Sequence, residues 1–453
     1  MDSKADAQRM EKIVSLCKRR GFIFQSSEIY GGLNGLWDYG PLGVELKRNL
    51  KNYWWRAMVH ERDDVVGMDG SILTNRAVWK ASGHEDTFSD PMVDCRVCKA
   101  RLRADQVIEK KGVRQCPNCG SKDLTDSRLF NLMFKTYVGA TEDESSLTYL
   151  RPETAQSIFT QFKNILEVSR KKLPFGIAQI GKAFRNEINP RNFTFRSREF
   201  EQMELEYFCR AEEGMKWLDY WLEERLKFYQ NIGISREKLH AREVPENERA
   251  FYSKGTHDIE YDFPFGRQEL EGVAYRTDYD LSQHQKASGK SLEYFDEETK
   301  QKFIPHVVEP SAGVDRTVLA LICSAYAEDQ APDEKGKMET RVVLRFHPRM
   351  APIKCAVFPL LRNKEPLVAK AKQIVDLLRS HMSVFYDESG AIGRRYRRQD
   401  EIGTPFCVTV DFETFGEKQA QLRDTVTLRE RDSMKQERVK ISDLLELLLV
   451  RIA

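Results

Sequence analysis

Residues 183–208 read AFRNEINPRNFTFRSREFEQMELEYF, with arginine at 185, 191, 196 and 198 and glutamate at 187, 199, 201, 204 and 206. Mixed charge of this density ordinarily marks a solvated surface. The second half, however, alternates with period two and carries aromatics, which is the pattern of a strand. One face bears Phe200, Gln202, Glu204 and Glu206; the other bears Glu201, Met203, Leu205 and Tyr207. The mostly apolar second face is expected to pack on a core. The first then presents an aromatic plane beside carboxylates and an amide, on which a planar base can stack and by which a small ammonium group can be held. GIAQIGKAFRNEI (176–188) reads as a strand running into a polar loop, so the two strands form an antiparallel pair with a long connection. Arg185 stands at the end of the first strand, where a guanidinium fork suits a phosphate. A charged two-stranded ribbon facing water fits the same pattern.

Outward from this pair, helical periodicity runs over 7–20 (Met10, Ile13, Leu16 and Cys17 on one face), 44–61, 153–170 and 213–230. GGLNGLWDYGPLG (31–43) reads as loop, and 65–68 as a short apolar segment. ELEGVAYRTDYDL (269–281) mixes strand and turn signals, and residues 213–300 as a whole are expected to form a helical or mixed insertion. EPSAGVDRTVLALICSAY (309–326) runs from small residues into an apolar helix. EDQAPDEKGKMET (328–340) is expected to be an exposed excursion, with RVVLRF (341–346) returning to the first domain's sheet. After Met350, strands and helices alternate: a compact α/β unit of about 100 residues. The expected division is 1–349 and 350–453.

Lys plus Arg number 72 and Asp plus Glu 70, a net charge of +2, so no global basic field draws the chain to nucleic acid and local patches must do any steering. No apolar run reaches membrane-spanning length, and the charged N-terminus carries no secretory core, so a reducing cytoplasm and no membrane partner are expected. Cysteines in such a compartment are thiols or metal ligands. Cys95, Cys98, Cys116 and Cys119 form C-x2-C, seventeen residues, C-x2-C. That spacing closes a tetrahedral four-sulfur shell around a structural Zn²⁺. Cys17, Cys209, Cys323, Cys355 and Cys407 lie in apolar contexts and read as ordinary buried side chains. ASGKS (287–291) approaches a phosphate-binding loop, but His284 occupies the position of its first glycine, so arginines must hold any nucleotide phosphates.

Taken together, FRNE (184–187) with REFEQMELEYF resembles motif 2 of the class II aminoacyl-tRNA synthetases. GVDR (313–316) resembles motif 3, and helix 44–61 with the segment after it resembles motif 1. GGLNGLWDYGPLGVELK, SGHEDTFSDPMVDC, YLRPETAQ, IGKAFRNEINPRNF, ELEGVAYRTDYDL, EPSAGVDR and DEIGTPFCVTVD, in collinear order along nearly the whole chain, resemble the homodimeric single-chain glycyl-tRNA synthetases. The resemblance implies an α+β fold: a class II antiparallel sheet flanked by helices, a zinc-binding insert at 95–119 and a C-terminal α/β anticodon-binding domain. It implies glycine activation by ATP with Mg²⁺, transfer to tRNA(Gly), and a homodimer. Two departures stand out. The usual proline of motif 1 falls at Gly70 or Ser71, and the acid of motif 3 is Asp315.

Carried residue by residue, the resemblance implies that Arg185 holds the α-phosphate, Glu187 helps recognise adenine, Phe200 stacks on it, and Asn186 belongs to the ATP site. Phe195, Arg196, Ser197, Arg198 and Glu199 line the ATP site. Arg316 clamps the γ-phosphate, beside Gly313, Val314 and Asp315, while Glu269 and Leu270 contact the nucleotide. Glycine falls to Arg103, Glu153, Phe200, Glu201, Gln202, Glu204, Glu309, Ser311 and Gly313, with Arg276 nearby. Alternation puts Glu201 opposite Glu204, so a bulge is needed for both to reach glycine. His84 is expected to pack or hydrogen-bond rather than catalyse. No editing domain is expected, because a tight pocket rejects any larger amino acid by clash. RRYRR, with Arg394, Arg395, Arg397 and Arg398 around an aromatic, is expected to meet tRNA. A non-catalytic synthetase-like subunit and a zinc-ribbon nucleic-acid binder stay open as alternatives.

Overall fold

The computed structural model describes residues 3–110, 112–250, 252–332 and 336–453. Its centre is a seven-stranded sheet made of β1 (Val65–Gly67), β2 (Phe175–Phe184), β3 (Glu199–Cys209), β4 (Leu239–Glu243), β5 (Gly255–Phe263), β6 (Gly266–Thr277) and β7 (His306–Gly313). The spatial order is β4-β5-β6-β7-β3-β2-β1, antiparallel except where β1 joins β2. The opening stretch supplies the β2–β3 pair, in register from Phe184↔Glu199 to Phe175↔Phe208.

Helices α1 (Ser3–Arg20), α2 (Pro41–Trp55), α3 (Ala155–Ser169), α4 (Gly214–Asn231), α5 (Tyr279–Ser288) and α6 (Val314–Ala325) surround the sheet. The odd-numbered face of β3 (Met203, Leu205, Tyr207) packs against Leu46, Leu50 and Trp54 of α2, Leu218 and Trp221 of α4, and the apolar side of α6. On the opposite side, Ile158, Phe159 and Phe162 of α3 pack on Phe175, Ile177 and Phe208. Both faces of β3 are therefore covered. Between Phe200 and Phe208 the even-numbered face buries Gln202, Glu204 and Glu206, residue types that water ordinarily keeps. Three buried polar side chains in a row mark the place where the strand serves something other than stability.

Four expectations change. Residues 31–43 are not all loop, because Trp37–Tyr39 pairs with Ile23–Gln25. Residues 213–300 are not an insertion: they contribute β4, β5, β6 and α4 to the central sheet and its core. The 328–340 excursion is an arm of two paired strands, Tyr326–Pro332 and Met338–Leu344, and residues 333–335 of it lie outside the described residues. RVVLRF consequently pairs within the arm and does not rejoin the sheet. Its Arg341 is buried between Asp329 and Asp400, tying the arm to the C-terminal unit.

That unit holds five strands in the order Val384–Tyr386, Cys355–Pro359, Phe406–Val410, Thr425–Glu430, Gln436–Lys440, the first three parallel and the rest antiparallel. Helices α7 (Glu365–Arg379), α8 (Ile392–Ile402) and α9 (Ile441–Ile452) accompany them. The cysteine insert adds a short hairpin, Ile108–Lys110 with Val113–Gln115, beside a three-stranded sheet. Among the described residues no helix is long and apolar enough to cross a membrane.

Candidate active site

One cleft opens over the ends of β2, β3 and β7, and arginines line it. Arg185 follows β2, and its guanidinium lies over the rings of Phe88 and Phe200, 5.4 and 5.3 Å from their centroids. Its Nε donates to the Pro152 carbonyl at 3.1 Å, which fixes the fork. Arg316, in the first turn of α6, lies over Phe195 at 4.5 Å and 3.4 Å from the Glu269 carboxylate. Between the two arginines the walls carry Glu187, Phe195, Arg196, Ser197, Gln202, Leu270, Ser311 and Gly313. Glu187 is 6% exposed and its Oε2 has no hydrogen-bond partner. The Oε1 of Gln202 is likewise buried and unpartnered. Acceptors without a hydrogen bond, Glu187 having only an ion pair with Arg196 at 3.7 Å, are costly in a finished interior and suit a site that a donor-bearing ligand completes.

Below the cleft lies a carboxylate pocket. Glu204 accepts from Gln202 Nε2 (2.6 Å), Ser311 Oγ (2.7 Å), the Thr154 backbone N–H (3.1 Å) and the Thr154 hydroxyl. These four donors occupy the lone-pair sites of its carboxylate, and Thr154 places it at the N-terminus of α3, where negative charge is favoured. Burial and the neighbouring Glu153 push the Glu204 carboxyl up, while its hydroxyl donors oppose that rise. Glu309 on β7 accepts from Arg276 of β6 at 2.8 Å; burial pushes it up to about 7, against the pull of Arg276 and with Glu204 and Glu153 adding to the rise. Arg276 is itself clamped by Asp280 through two bonds of 2.8 and 3.0 Å and sits 4.5 Å from the Tyr252 ring. Glu153 accepts from Gln156 at 2.9 Å and lies 3.3 Å from His84 Nε2. Burial alone would raise its carboxyl, yet His84 and Arg276 hold it well below the usual range. His84 Nδ1 meets Ser82 Oγ at 2.8 Å, so this ring is a hydrogen-bonding strut.

Several expected residues stand elsewhere. Glu201 points to the opposite side of β3, where Lys47 (2.7 Å) and Lys51 (2.9 Å) pair with it; β3 stays regular there, and Glu201 does not enter the carboxylate pocket. Asp315 turns to Tyr39, Lys47 and the Glu201 N–H, a bracing role at the cleft floor. Val314 is fully buried in the core. Asn186 and Arg198 line an adjoining groove beside the insert, and Glu199 pairs with Lys182. Arg103 is engaged by Asp90 (3.0 Å) and Asp105 (3.1 Å) away from the cleft lining.

The RRYRR arginines do not form a presented patch. Arg395 is 2% exposed and donates to the carbonyls of Pro359, Leu360, Asp387 and Gly390. Arg397 reaches the Pro332 carbonyl and Asp400, and Arg398 reaches Asp387. Arg394 is the exposed one, without a hydrogen-bond or ion-pair partner among the described residues. The spacing placed them on one helix; the carbonyls at the end of the adjacent strand take Arg395, while Arg397 and Arg398 find partners elsewhere.

The four insert cysteines converge, with Sγ···Sγ separations of 3.6 Å (Cys95–Cys119) and 3.7 Å (Cys98–Cys116) and all four sulfurs within 4.8 Å of one another. A tetrahedral Zn²⁺ with bonds of about 2.3 Å requires sulfurs roughly 3.8 Å apart, so the set fits. Gly70, where motif 1 usually has proline, donates its N–H to the Gln179 side chain, and a Cβ there would fall within 3.0 Å of Ser157 and Gln179. Proline fits neither condition.

Sequence reasoning missed Asp280, Gln156 and Thr154, which organise the pocket through long-range contacts that no spacing displays. It also left Glu206 unassigned, although the alternation had placed Glu206 on the correct face.

Two family models match the chain: the tRNA synthetase class II core domain (G, H, P, S and T) over residues 134–325 and an anticodon binding domain over 354–451. The glycine–tRNA ligase of Thermobifida fusca (strain YX) is 53% identical over 99% of both chains. The glycine–tRNA ligase of Streptomyces coelicolor is 53% identical over 97% of both. That of Treponema denticola is 52% identical over 96% of this chain and 95% of its own.

Proposed function

This chain belongs to the glycine–tRNA ligases, class II synthetases that activate glycine with ATP and pass it to tRNA, and from that premise we propose how its cleft divides the work. The observation that carries the reading is the even-numbered face of β3. Within four residues, ~13 Å of strand, it runs from Phe200 under Arg185 to Glu204 in the carboxylate pocket.

ATP occupies the arginine end. Its adenine lies over Phe200, taking the face that Arg185 now covers, and its exocyclic amine satisfies Glu187. Arg185 holds the α-phosphate and Arg316 the γ-phosphate of a bent chain. Attack of the glycine carboxylate builds negative charge on the α-phosphorus and on departing pyrophosphate; positioned guanidinium groups stabilise that charge, and no protein nucleophile is needed. Mg²⁺ accompanies the phosphates, with Glu269 the acidic side chain beside Arg316. When bound, it supplies further positive charge to the same oxygens.

Glycine enters with its ammonium toward Glu153, Glu204 and Glu309, and Ser311 and Gln202 complete the wall. Hydrogen bonds tie Glu204 to Thr154 and Ser311, and Glu309 to Arg276, so a substrate methyl group would have to displace a hydrogen-bonded neighbour. Glycine is selected by exclusion.

We further propose that the four cysteines hold a structural Zn²⁺, that residues near 350 separate the catalytic unit from the anticodon-binding one, and that the enzyme works in the cytoplasm as a homodimer. The test of the central assignment is Arg185→Ala in glycine-dependent ATP–pyrophosphate exchange. Exchange is expected to fall roughly 10²–10³-fold with the melting temperature unchanged. Full activity in a folded Arg185→Ala variant refutes the phosphate assignment.

A further inference from the structure

Glu206 is fully buried, and both its carboxylate oxygens lack a hydrogen-bond partner. It is no bystander in an apolar core: its carboxylate lies within 4.8 Å of those of Glu204 and Glu309. The strand register explains the approach. β3 and β7 pair Glu204↔Ser311 and Tyr207↔Val308, which sets Glu206 across from Glu309. Between them stands Pro310, which lacks an N–H, and the ladder is interrupted at that position and at Glu309. Like charges directly across a strand pair repel, and in a dry interior they do so strongly. Among the described residues Arg276 is the buried cation that acts on Glu206, and it gives three of its five N–H donors to Asp280 and Glu309 and none to Glu206. The other groups around the pocket are Glu204 on the same strand, Arg151 whose charge acts on Glu204, Glu153 and His84 at the entry to α3, Asp280 and His284 on α5 and the Tyr252 ring over Arg276.

We propose that Glu206 is a neutral carboxylic acid whose O–H donates to Glu309, so that it is a positioning residue which keeps Glu309 ionised and aimed at the substrate ammonium. A proton on Glu206 removes one of two facing charges and converts repulsion into a charge-assisted hydrogen bond. Burial and the facing Glu309 push the Glu206 carboxyl well above its ordinary value, in the same direction. The arrangement resolves how so many carboxylates stand together: the pocket holds one permanent proton, and the anionic charge that remains is what glycine's ammonium meets.

This inference rests on the assignment of the carboxylate pocket to glycine. It is tested by the pH dependence of the glycine KM in ATP–pyrophosphate exchange for the full chain, with the ATP KM measured alongside. Losing a donor to a carboxylate raises that carboxylate's pKa; losing a neighbouring negative charge lowers it. Glu206→Ala is therefore expected to raise the glycine KM roughly tenfold or more, leave the ATP KM in place, and move the profile to higher pH. Glu206→Gln keeps the shape and a donor, and is expected to restore most of what Glu206→Ala loses. A shift of either profile to lower pH, or an unchanged glycine KM in Glu206→Ala, overturns the proposal. Should Glu206→Ala fail to fold, glycine-induced infrared difference spectra decide: a protonated carboxyl band that is present in the wild type and lost in Glu206→Gln supports the neutral acid, and no such band refutes it. Glu309→Gln serves as the control on the pocket itself. If it too leaves the glycine KM untouched, the glycine assignment fails and not merely the role of Glu206.

Discussion

Replacing Glu309 by glutamine removes a charge while nearly preserving the shape. Arg276 keeps its two bonds to Asp280 and can still find a carbonyl oxygen at position 309, so the fold should persist. In the proposed complex Glu309 has acceptor capacity to spare, since Arg276 and the proposed Glu206 hydroxyl fill only two of its four lone-pair sites, whereas Glu204 is already saturated. A hydrogen bond to a charged group contributes about 1.5–3 kcal/mol, which corresponds to about a 10- to 100-fold rise in the glycine KM. The ATP KM should not move, because Glu309 is not among the residues that line the nucleotide cleft. The pH profile supplies a second signature. Glu309 is pushed up to about 7 by burial, so its ionised form is lost as pH falls through that value. Between pH 8 and pH 6 the ionised share drops from about nine tenths to about one tenth. The wild-type glycine KM should therefore rise several-fold on acidification, and in Glu309→Gln that contribution should vanish. Exchange kinetics over pH 6–8 with glycine and ATP varied separately make the measurement. A Glu309→Gln enzyme with wild-type glycine KM, or one whose ATP KM changes as much as its glycine KM, refutes the reasoning.

Three other outcomes follow from the packing. Arg225 and Glu271 form a fully buried pair at 2.6 Å, so Arg225→Met should cost about 3–5 kcal/mol in denaturant unfolding, and adding Glu271→Leu should recover most of it. Arg395→Ala strands four carbonyls and should lower the melting temperature of the C-terminal unit, whereas Arg394→Ala should leave stability alone; a weakened tRNA affinity without lost stability in Arg395→Ala would contradict this. Metal analysis should find one zinc per chain, and Cys98→Ser should raise hydrogen exchange in residues 95–124 while leaving the C-terminal sheet protected.

How much of this was legible beforehand differs by residue. The period-two alternation of β3 was readable because a strand sends neighbours to opposite faces, and that separated Glu201 from Glu204 before any coordinates. Helix α9 and the paired cysteine turns were readable for the same reason: their signals are local. The arm at 326–344 was not, because a polar stretch with Pro and Gly looks alike whether it wanders or pairs with itself. Residues 213–300 were misread as an insertion because strands that join a sheet far along the chain carry no mark of their partner. The burial of Arg395 in α8 was not legible, because a sequence shows charge but not the carbonyls that consume it. Within the site, Arg185 and Arg316 could be named by resemblance. The Arg276–Asp280–Gln156–Glu153 chain joins three elements and emerges only when they meet.

Strand β3 divides the labour: phosphates to the arginines, ammonium to the buried carboxylates. A crystal structure with a non-hydrolysable glycyl-adenylate analogue tests it most directly. The account predicts the phosphate-equivalent group against Arg185, the adenine over Phe200, and the ammonium within hydrogen-bond distance of Glu309 among the pocket carboxylates, with Glu201 still held by Lys47. An ammonium directed to Glu201 or to the groove beside the insert would contradict it.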